Sequence, residues 1–252
     1  MMKRYFLEIS YNGTHYAGSQ KQHNAITVQE VLNQKLQILL KHEVETVFSS
    51  RTDAGVHCKQ QFIHVDTPNP IEDYGKFRYA LNSLLPADIA INRIFEVDFR
   101  AHARFSAIRR TYQYHICPYK NPFSLQSSWQ FFPKLCLESM NKASQFLLGE
   151  HDFRTFCKVR THTSHFLCNI TNAKWEQNEE EIIFTITSNR FLRGMVRLIV
   201  GTLVDVGRNK ISVEDFQKII TSRDVKKSSG AAPPQGLFLC LVEYPPQIFE
   251  RN

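Results

Sequence analysis

Two successive stretches of the chain carry the same order of strand and helix patterns, which limits the folds open to it. In the first, apolar and alternating runs predict strands at 4–10, 44–50, 60–66 and 89–97, with amphipathic helices at 28–41 and 74–85. In the second, they predict strands at 111–118, 168–176, 181–187 and 237–243, with helices at 137–148, 190–206 and an extra one at 213–221. Both stretches read β-α-β-β-α-β, the ferredoxin-like order.

The predicted class is therefore α+β, with two tandem ferredoxin-like halves at 1–107 and 108–252. Joined side by side, their antiparallel sheets would carry helices on one face and a groove on the other, a shape that suits RNA. Helix boundaries are marked locally. Thr27 followed by Glu30 forms a capping box before the apolar repeat, Ser212 begins the extra helix, and Gly149 ends the helix at 137–148.

Composition narrows the class of protein without identifying a partner. The 252 residues are 42% hydrophobic, enough for a sizeable core, and the net charge of +7 favours a polyanionic partner. The six cysteines form no Cys-x-x-Cys pair, so neither a disulfide framework nor a zinc ribbon is indicated. The N-terminus lacks an apolar leader, and Arg193 and Arg197 interrupt the most apolar helix, so we expect no membrane span and a cytoplasmic location.

Residues 51–57 read Arg-Thr-Asp-Ala-Gly-Val-His and follow an apolar, β-branched run. The carboxylate of Asp53 would stand on a tight turn with a guanidinium two positions before it, and a nearby Arg favours the ionised form of a carboxylate. Gly55 permits a positive φ or a close approach to a ligand. The pattern can therefore present an anion to a substrate, although Asp and Gly also fill turns for backbone reasons alone.

Six motifs in a fixed order resemble those of the TruA family of tRNA pseudouridine synthases. They are Ser-Ser-Arg-Thr-Asp-Ala-Gly-Val-His at 49–57, His-Ala-Arg-Phe-Ser-Ala at 102–107, Arg-Thr-Tyr-Gln-Tyr at 110–114, His-Asp-Phe at 151–153, Phe-Leu-Arg-Gly-Met-Val-Arg at 191–197 and Ala-Pro-Pro-Gln-Gly-Leu at 232–237. The chain departs from the family pattern at Ser19, where a Trp is usual, at Cys58, where Ala is usual, and at Gln60, where Gly is usual. We expect these departures to affect RNA contacts rather than the chemistry.

The resemblance implies a homodimer with a catalytic cleft between the two halves, acting on the anticodon arm of tRNA without cofactor or metal. It assigns catalysis to Asp53. Pseudouridylation breaks the N-glycosidic bond, turns the uracil and rejoins its C5 to the ribose. Asp53 would either attack ribose C1′ or remove a sugar proton, and the sequence does not choose between these two mechanisms.

Tyr112 is the candidate platform for the flipped base. An aromatic face stacks a base with roughly 1–3 kcal/mol, and the target must leave its stack to react. Tyr112 and Tyr114 would share one strand face, and Arg109 and Arg110 lead into that strand. Periodicity alone favours a packed cross-strand aromatic, whereas the resemblance favours the platform.

Arg190, Arg193 and Arg197 have i, i+3, i+7 spacing, which predicts one basic stripe along the helix at 190–206. A solvated face is the usual meaning of such a stripe. Because the helix is otherwise apolar, a buried Arg on it would need an anionic partner, either Asp53 or phosphate. The resemblance makes Arg197 the partner of Asp53 and places Arg193 nearer the RNA.

The remaining candidates are RNA contacts. Arg51 resembles the family residue that fills the space left by the flipped base, whereas a salt bridge that orders its own turn is the alternative. Polar residues at matching positions are predicted to bond phosphate and ribose: Gln61, Asn82, His102, Arg104, Arg109 and Arg110.

Specific residues bear on the alternative functions. His162, His165 and Cys168 suggest zinc, but their spacing fits no standard finger. Neither a Walker A sequence nor Gly-x-Gly-x-x-Gly occurs. A non-catalytic tandem RNA-binding protein shares the ferredoxin-like order, although the strand at 60–66 lacks its multiple aromatics. A nucleoside hydrolase using Asp53 would instead release free uracil.

Overall fold

The computed structural model describes residues 2–158 and 165–250. The chain divides into two compact units. The first unit comprises Met1–Ile108 and Leu239–Asn252, and the second unit comprises Arg109–Phe238. In the described part of the chain, the elements make a mixed α+β protein with five α-helices and mostly antiparallel strand pairs, which confirms the predicted class.

The sheet of the first unit is built around its first strand. β1 (Lys3–Tyr11) pairs antiparallel with β3 (His57–Thr67) on one side and with β4 (Ile89–Val97) on the other. A short β2 (Val47–Phe48) pairs with β3, and β10 (Leu237–Glu243) lies next to β3. Most residues of β1 and β3 are buried, and both strands have a neighbour on each edge.

Two capped helices complete the first unit. α1 (Val28–Leu40) begins at Thr27, whose hydroxyl accepts a hydrogen bond from the Glu30 N–H at 3.3 Å, as predicted. α2 (Tyr74–Leu84) begins at Asp73, whose carboxylate accepts from the Lys76 N–H at 2.9 Å. Such N-caps satisfy donors that a helix start otherwise leaves unbonded.

Aromatic rings attach the C-terminal segment to this sheet. Tyr244 packs against Phe6 and Phe62 with ring centroids 5.5 and 5.2 Å apart, and Phe249 lies 4.8 Å from Phe95. The Tyr244 hydroxyl also donates to the Ala103 carbonyl. Residues 244–249 therefore pack against the sheet of the first unit.

The strand predicted at 44–50 is wrong in extent, since only Val47 and Phe48 are strand. On either side, side chains bond part of the backbone. The Asn33 side-chain oxygen accepts from the Thr46 N–H at 3.2 Å, and the Gln61 side-chain oxygen accepts from the Ser50 N–H at 3.3 Å. Side-chain bonds of this kind compete with a strand ladder.

The second unit contains a run of antiparallel strands and three helices. β5 (Arg109–Cys117), β9 (Ile182–Ser188), β8 (Leu167–Gln177) and β7 (Gly149–Asp152) follow in that spatial order, and β6 (Trp129–Gln130) runs parallel to β5. The helices are α3 (Leu137–Ser144), α4 (Met195–Gly207) and α5 (Val213–Ser222). Ser212 caps α5 as predicted, its hydroxyl accepting from the Asp215 N–H at 3.0 Å. β6 and β7 were not predicted.

The predicted start of α4 at Arg190 is wrong, because the helix begins at Met195. Gly194 precedes it with a φ of +72°, and the Met195 N–H donates to the Leu192 carbonyl in a turn. A left-handed residue interrupts a right-handed helix. Arg190 and Arg193 therefore lie before the helix, and the three arginines do not form a helical stripe.

No helix within the described residues is both long enough and apolar enough to cross a lipid bilayer.

Candidate functional site

Asp53 stands on a tight turn, as the sequence predicted. The Val56 N–H donates to the Asp53 carbonyl at 3.2 Å, and Gly55 takes a φ of +74° at the third position of this turn. That sign of φ is the one that a type II turn requires of this position. Asp53 is half-buried, so it lies near the surface.

The loop of residues 12–20 lies directly against this turn. The Gly55 N–H donates to the Tyr16 carbonyl at 3.3 Å, and the Gly13 N–H donates to Nδ1 of His57 at 3.1 Å. A Cβ at Gly13 would come within 2.0 Å of the Val56 carbonyl oxygen, and one at Gly18 within 2.7 Å of the Thr52 oxygen. The two glycines, which match no phosphate-binding motif, thus allow two backbones to approach closely.

Hydrogen bonds to Asp88 hold the first half of the same loop. The Tyr16 hydroxyl donates to Asp88 at 2.6 Å, and the Asn12 N–H donates to the Asp88 carbonyl at 2.9 Å. Burial, together with the Asp88 carboxylate, raises the pKa of Tyr16 well above its usual value. Tyr16 therefore stays protonated and acts as a fixed donor.

Beneath the turn lies a chain of buried polar side chains, which we call the Thr52 network. Its members are Tyr11, Ser19, Ser49, Thr52 and Gln61. The Thr52 N–H donates to the Ser19 hydroxyl at 2.9 Å, and the Thr52 and Tyr11 hydroxyls are 2.8 Å apart. The Gln61 amide donates to the Tyr11 hydroxyl at 2.8 Å.

The residues of the first unit that were predicted to contact RNA differ in solvent exposure and in their bonds to the protein. Arg51 is exposed beside Asp53. Gln61 is fully buried, so its amide serves the Thr52 network rather than presenting itself to a ligand. Asn82 is exposed, yet its amide bonds both the N–H and the carbonyl of Ile91, at 2.8 and 2.9 Å, and so joins α2 to β4.

His102 organises the motif at 102–107. Its Nδ1 accepts from the N–H groups of Arg104 and Phe105 at 3.1 and 3.3 Å, and its ring lies 4.4 Å from that of Phe105. His64 packs edge-on against it at 4.8 Å, and Nδ1 of His64 accepts from the Ala103 N–H at 3.0 Å. Burial is the main cause that lowers the pKa of both histidines, with Arg4 second. Both rings are therefore neutral near pH 7, and Arg104 is left exposed.

In the second unit, Tyr112 and Tyr114 lie on the same buried face of β5, as predicted. The Tyr112 ring meets the Phe191 ring edge-on at 5.1 Å. The Tyr114 hydroxyl donates to the Pro233 carbonyl at 2.8 Å, and burial raises its pKa well above the usual value. Tyr114 is thus committed to packing, which leaves Tyr112 as the candidate platform.

Arg197 extends from the first turn of α4 to the motif at 232–237. Its Nε donates to the Ala232 carbonyl at 2.6 Å, and its own carbonyl accepts from the Ala232 N–H at 2.9 Å. Gly201, one turn further on, lets the Gly230 carbonyl approach the helix. The Ala232 carbonyl therefore holds the guanidinium of Arg197, and the Ala232 N–H holds the backbone of Arg197.

The other arginines of the second unit fall into two groups. Arg109 and Arg193 are exposed. Arg110 is buried and donates to the Asn189 carbonyl at 2.9 Å, an internal contact between the start of β5 and the end of β9. This placement gives Arg110 a structural role.

His162, which entered the zinc hypothesis, lies outside the described residues. Among the described residues, no group of three His, Cys, Asp or Glu side chains is arranged to hold a metal ion.

Comparison with known proteins reveals similarity over nearly the whole chain. A family model for tRNA pseudouridine synthase matches residues 9–106 and 143–245. The tRNA pseudouridine synthase A of Bacteroides fragilis is 43% identical over 250 residues, which cover 99% of this chain and 99% of that protein. The protein of the same name from Bacteroides thetaiotaomicron is 43% identical over 254 residues, covering 100% and 94%. That from Exiguobacterium sp. is 38% identical over 245 residues, covering 96% and 98%.

Matches of this extent define the class as RNA pseudouridine synthases, which are isomerases. Within that class, the chain belongs to the tRNA pseudouridine synthase family. The family predicted from the six motifs is confirmed, and the matches do not favour a non-catalytic RNA-binding protein.

Sequence reasoning missed the inner part of this site. Ser19 was expected to alter RNA contacts, because the family usually has Trp there, yet Ser19 is fully buried and bonded to Thr52. Tyr11 and Thr52 were not singled out at all. Their bonds join residues 33 and 41 positions apart in sequence, which no local pattern records. The pair Gly13 and Gly18 was the one available signal of a close approach.

Proposed function

We propose that this protein converts uridine to pseudouridine in the anticodon arm of tRNA. The observation that carries the proposal is the Asp53 turn, which presents a half-buried carboxylate on a rigid loop in a chain of this family. A catalytic group needs such restricted orientation, because productive geometry tolerates little displacement.

Asp53 is the catalytic carboxylate in this proposal. The N1–C1′ bond of the uridine breaks and a C5–C1′ bond forms, while the proton on C5 is lost and N1 gains one. The reaction is an isomerisation, so no electrons or groups are added overall. Asp53 starts it either by attack on C1′ or by removal of a sugar proton, and both mechanisms need the ionised carboxylate.

Tyr112 and Arg197 complete the catalytic set. Tyr112 stacks the flipped base, supported by its place on the face of β5 beside Phe191. Arg197 keeps Asp53 ionised, supported by the fixed direction that Ala232 gives its guanidinium. A guanidinium near a carboxylate favours the charged form.

In this proposal, exposed and half-buried basic and polar side chains bind the tRNA backbone. Arg51 assists base flipping, and the net charge of +7 favours association with a polyanion. The proposed contacts to phosphate and ribose are Asn82, His102, Arg104, Arg109 and Arg193. Gln61 and Arg110 are omitted because their side chains bond within the protein interior.

The proposed architecture is two tandem ferredoxin-like halves acting as a cytoplasmic homodimer. The element order supports the first part. β4, β1 and β3 are neighbours in the first unit with β2 beside β3, and β5, β9 and β8 are neighbours in the second unit. These are the neighbours that a β-α-β-β-α-β unit places together. Light scattering of the purified protein would measure the subunit number.

The test of the proposed reaction is tritium release from tRNA labelled at uridine C5, followed by mapping of the modified positions. The label leaves when C5 becomes bonded to the ribose, so we expect release in step with pseudouridine formed in the anticodon arm. Free uracil would instead identify a hydrolase. Tight tRNA binding without either product would identify a non-catalytic RNA-binding protein.

A further inference from the structure

The Thr52 network is unusually polar for a buried region, and the proposed reaction does not use it directly. Its five hydroxyl and amide side chains are almost completely shielded from solvent. Buried polar groups are costly unless their hydrogen bonds are satisfied. A functional role would account for these buried polar groups immediately before the Asp53 turn.

We infer that the Thr52 network positions the Asp53 carboxylate for catalysis, with Tyr11, Ser19, Thr52 and Gln61 as positioning residues. The inference rests on the proposed function, since it presupposes that Asp53 is the catalytic group.

The bonds to Thr52 hold all three of its polar groups. Its N–H donates to the Ser19 hydroxyl at 2.9 Å, its carbonyl accepts from the Ser19 N–H at 3.2 Å, and its hydroxyl meets that of Tyr11 at 2.8 Å. A residue bonded through its N–H, its carbonyl and its side chain has little freedom of rotation. Because Asp53 follows directly, Thr52 fixes the backbone position from which the Asp53 side chain starts.

Gln61 connects this residue to the central sheet. Its amide nitrogen donates to the Tyr11 hydroxyl at 2.8 Å, while its side-chain oxygen accepts from the Ser49 hydroxyl at 3.2 Å and from the Ser50 N–H at 3.3 Å. These contacts set the orientation of the amide. Tyr11 lies on β1 and Gln61 on β3, so the network ties the loop that carries Asp53 to two paired, largely buried strands of the first unit.

The expected contribution is to rate rather than to RNA affinity. The five side chains are buried, so they offer no surface to tRNA, whereas a small displacement of a catalytic group costs up to roughly 100-fold in rate. Removing one bond of the network should thus lower the single-turnover rate and leave the tRNA dissociation constant unchanged.

The test compares Thr52→Val, Thr52→Ser and Tyr11→Phe in the full-length protein. Val keeps the shape of Thr but loses the hydroxyl, and Phe keeps the ring of Tyr but loses its hydroxyl. We expect both to lower the single-turnover rate by about 10- to 100-fold, with tRNA affinity within about twofold. Thr52→Ser retains the hydroxyl and should restore most of the rate. The double variant Thr52→Val with Tyr11→Phe should be no slower than Tyr11→Phe alone, since that variant already removes the bond that Thr52→Val removes.

The matched control is Tyr5→Phe. Tyr5 is also a fully buried tyrosine on β1, but its hydroxyl accepts from the Ile71 N–H at 2.9 Å, away from the Asp53 loop. This variant should lose stability and keep its rate. Urea unfolding of every variant gives the fraction that is folded, so that the rate can be expressed per folded protein.

The outcomes separate two kinds of failure. If wild-type protein forms pseudouridine and the folded Thr52→Val and Tyr11→Phe variants keep the full rate, the positioning role is overturned while the proposed function stands. If the single-turnover rates of these variants fall no further than that of Tyr5→Phe, the network has only a structural role. If wild-type protein forms no pseudouridine, the proposed function and the positioning role fall together.

Discussion

Neighbouring residues of the site differ sharply in environment. Thr52 is buried and bonded through its backbone and hydroxyl, whereas Asp53 is half-buried at the turn. A change at Thr52 therefore alters the scaffold, while a change at Asp53 alters the chemistry with less effect on folding. This difference makes single substitutions at Asp53 informative.

Asp53→Asn should abolish turnover and preserve tRNA binding. Asn keeps the shape of the side chain but lacks the charge and the nucleophilic oxygen that either mechanism requires. Loss of one negative charge from a site that binds phosphates should leave tRNA affinity equal or slightly higher. The measurements are single-turnover activity and the tRNA dissociation constant of the folded variant.

An Asp that only ordered its turn would give a different result. Asp53→Asn would then cost stability on the order of 1 kcal/mol and leave the folded fraction active. Substantial pseudouridine formation by the variant, after deamidation back to Asp has been excluded by mass spectrometry, would therefore remove Asp53 from the catalytic role.

Substitutions at Tyr112 distinguish a role in stacking the target base from a role in packing the protein. Tyr112→Phe keeps the ring beside Phe191, so it should preserve the fold and RNA binding while losing much of the turnover if the hydroxyl passes a proton. Tyr112→Ala also removes the stacking surface, worth roughly 1–3 kcal/mol per base, and should weaken capture of the flipped base. Normal folding and full activity of Tyr112→Ala would show that the platform is elsewhere.

Among the elements, the contact of α4 with the segment before β10 holds Arg197 in place. The Ala232 carbonyl accepts from Arg197, and the Gly230 carbonyl sits against Gly201. The close approach depends on the missing side chain at Gly201. An added methyl group there should disturb the segment that orients Arg197.

Gly201→Ala should therefore destabilise the protein by about 1–3 kcal/mol, even though Ala favours a helix more than Gly does. The new Cβ would lie 2.0 Å from the Gly230 carbonyl oxygen, so the backbone must move. Gly230→Ala is the matched control, because a Cβ there meets no atom within 4 Å. Urea unfolding midpoints would compare the two variants, and equal stabilities would contradict the predicted clash.

The same elements show what a sequence can and cannot reveal. β4 and β10 were predicted at their observed bounds, and the ends of α1 and α2 within one residue, because periodicity and caps are local signals. The start of α4 was missed because the run of residues 190–206 is helical in pattern, whereas Gly194 takes a left-handed conformation. The extent of β2 was missed because the side chains of Asn33 and Gln61, distant in sequence, bond its flanks.

In the candidate site, too, local features could be predicted and long-range contacts could not. Asp53 and Gly55 could be placed on a turn from seven consecutive residues, and Tyr112 and Tyr114 on one strand face from alternation. The interior position of Gln61 and Arg110 could not be predicted, since polar residues in a family motif suggest ligand contacts. Their partners, Tyr11 and Asn189, become neighbours only through tertiary folding.

For the molecule as a whole, the excess of positive charge should appear as a steep salt dependence of tRNA binding. Each Lys or Arg that contacts a phosphate releases counterions and contributes roughly one unit to the log–log slope. Arg104 is exposed, so Arg104→Gln should reduce the slope by about one unit. Arg110 is buried, so Arg110→Gln should lower stability and leave the slope unchanged. Equal slopes for wild type and Arg104→Gln would make Arg104 structural as well.

Global stability should also depend on pH through the buried His64. Burial, Arg4 and the neighbouring His102 lower the pKa of His64 to about 4, from 6.5 in an unfolded chain, whereas Asp66 acts in the opposite direction. Between these two values the unfolded chain binds a proton that the folded protein does not. The free energy of unfolding should consequently fall as the pH drops from about 6.5 toward 4, by up to about 1.4 kcal/mol per pH unit for this one group.

His64→Asn tests this dependence, because the Asn oxygen can accept from the Ala103 N–H in place of Nδ1 but does not titrate. We expect the variant to show a shallower loss of stability between pH 7 and pH 5 than wild type, as measured by urea unfolding at each pH. The exposed His23 provides the control, and His23→Asn should keep the wild-type slope. Identical slopes for wild type and His64→Asn would mean that carboxylates, rather than the buried His64, govern stability in this range.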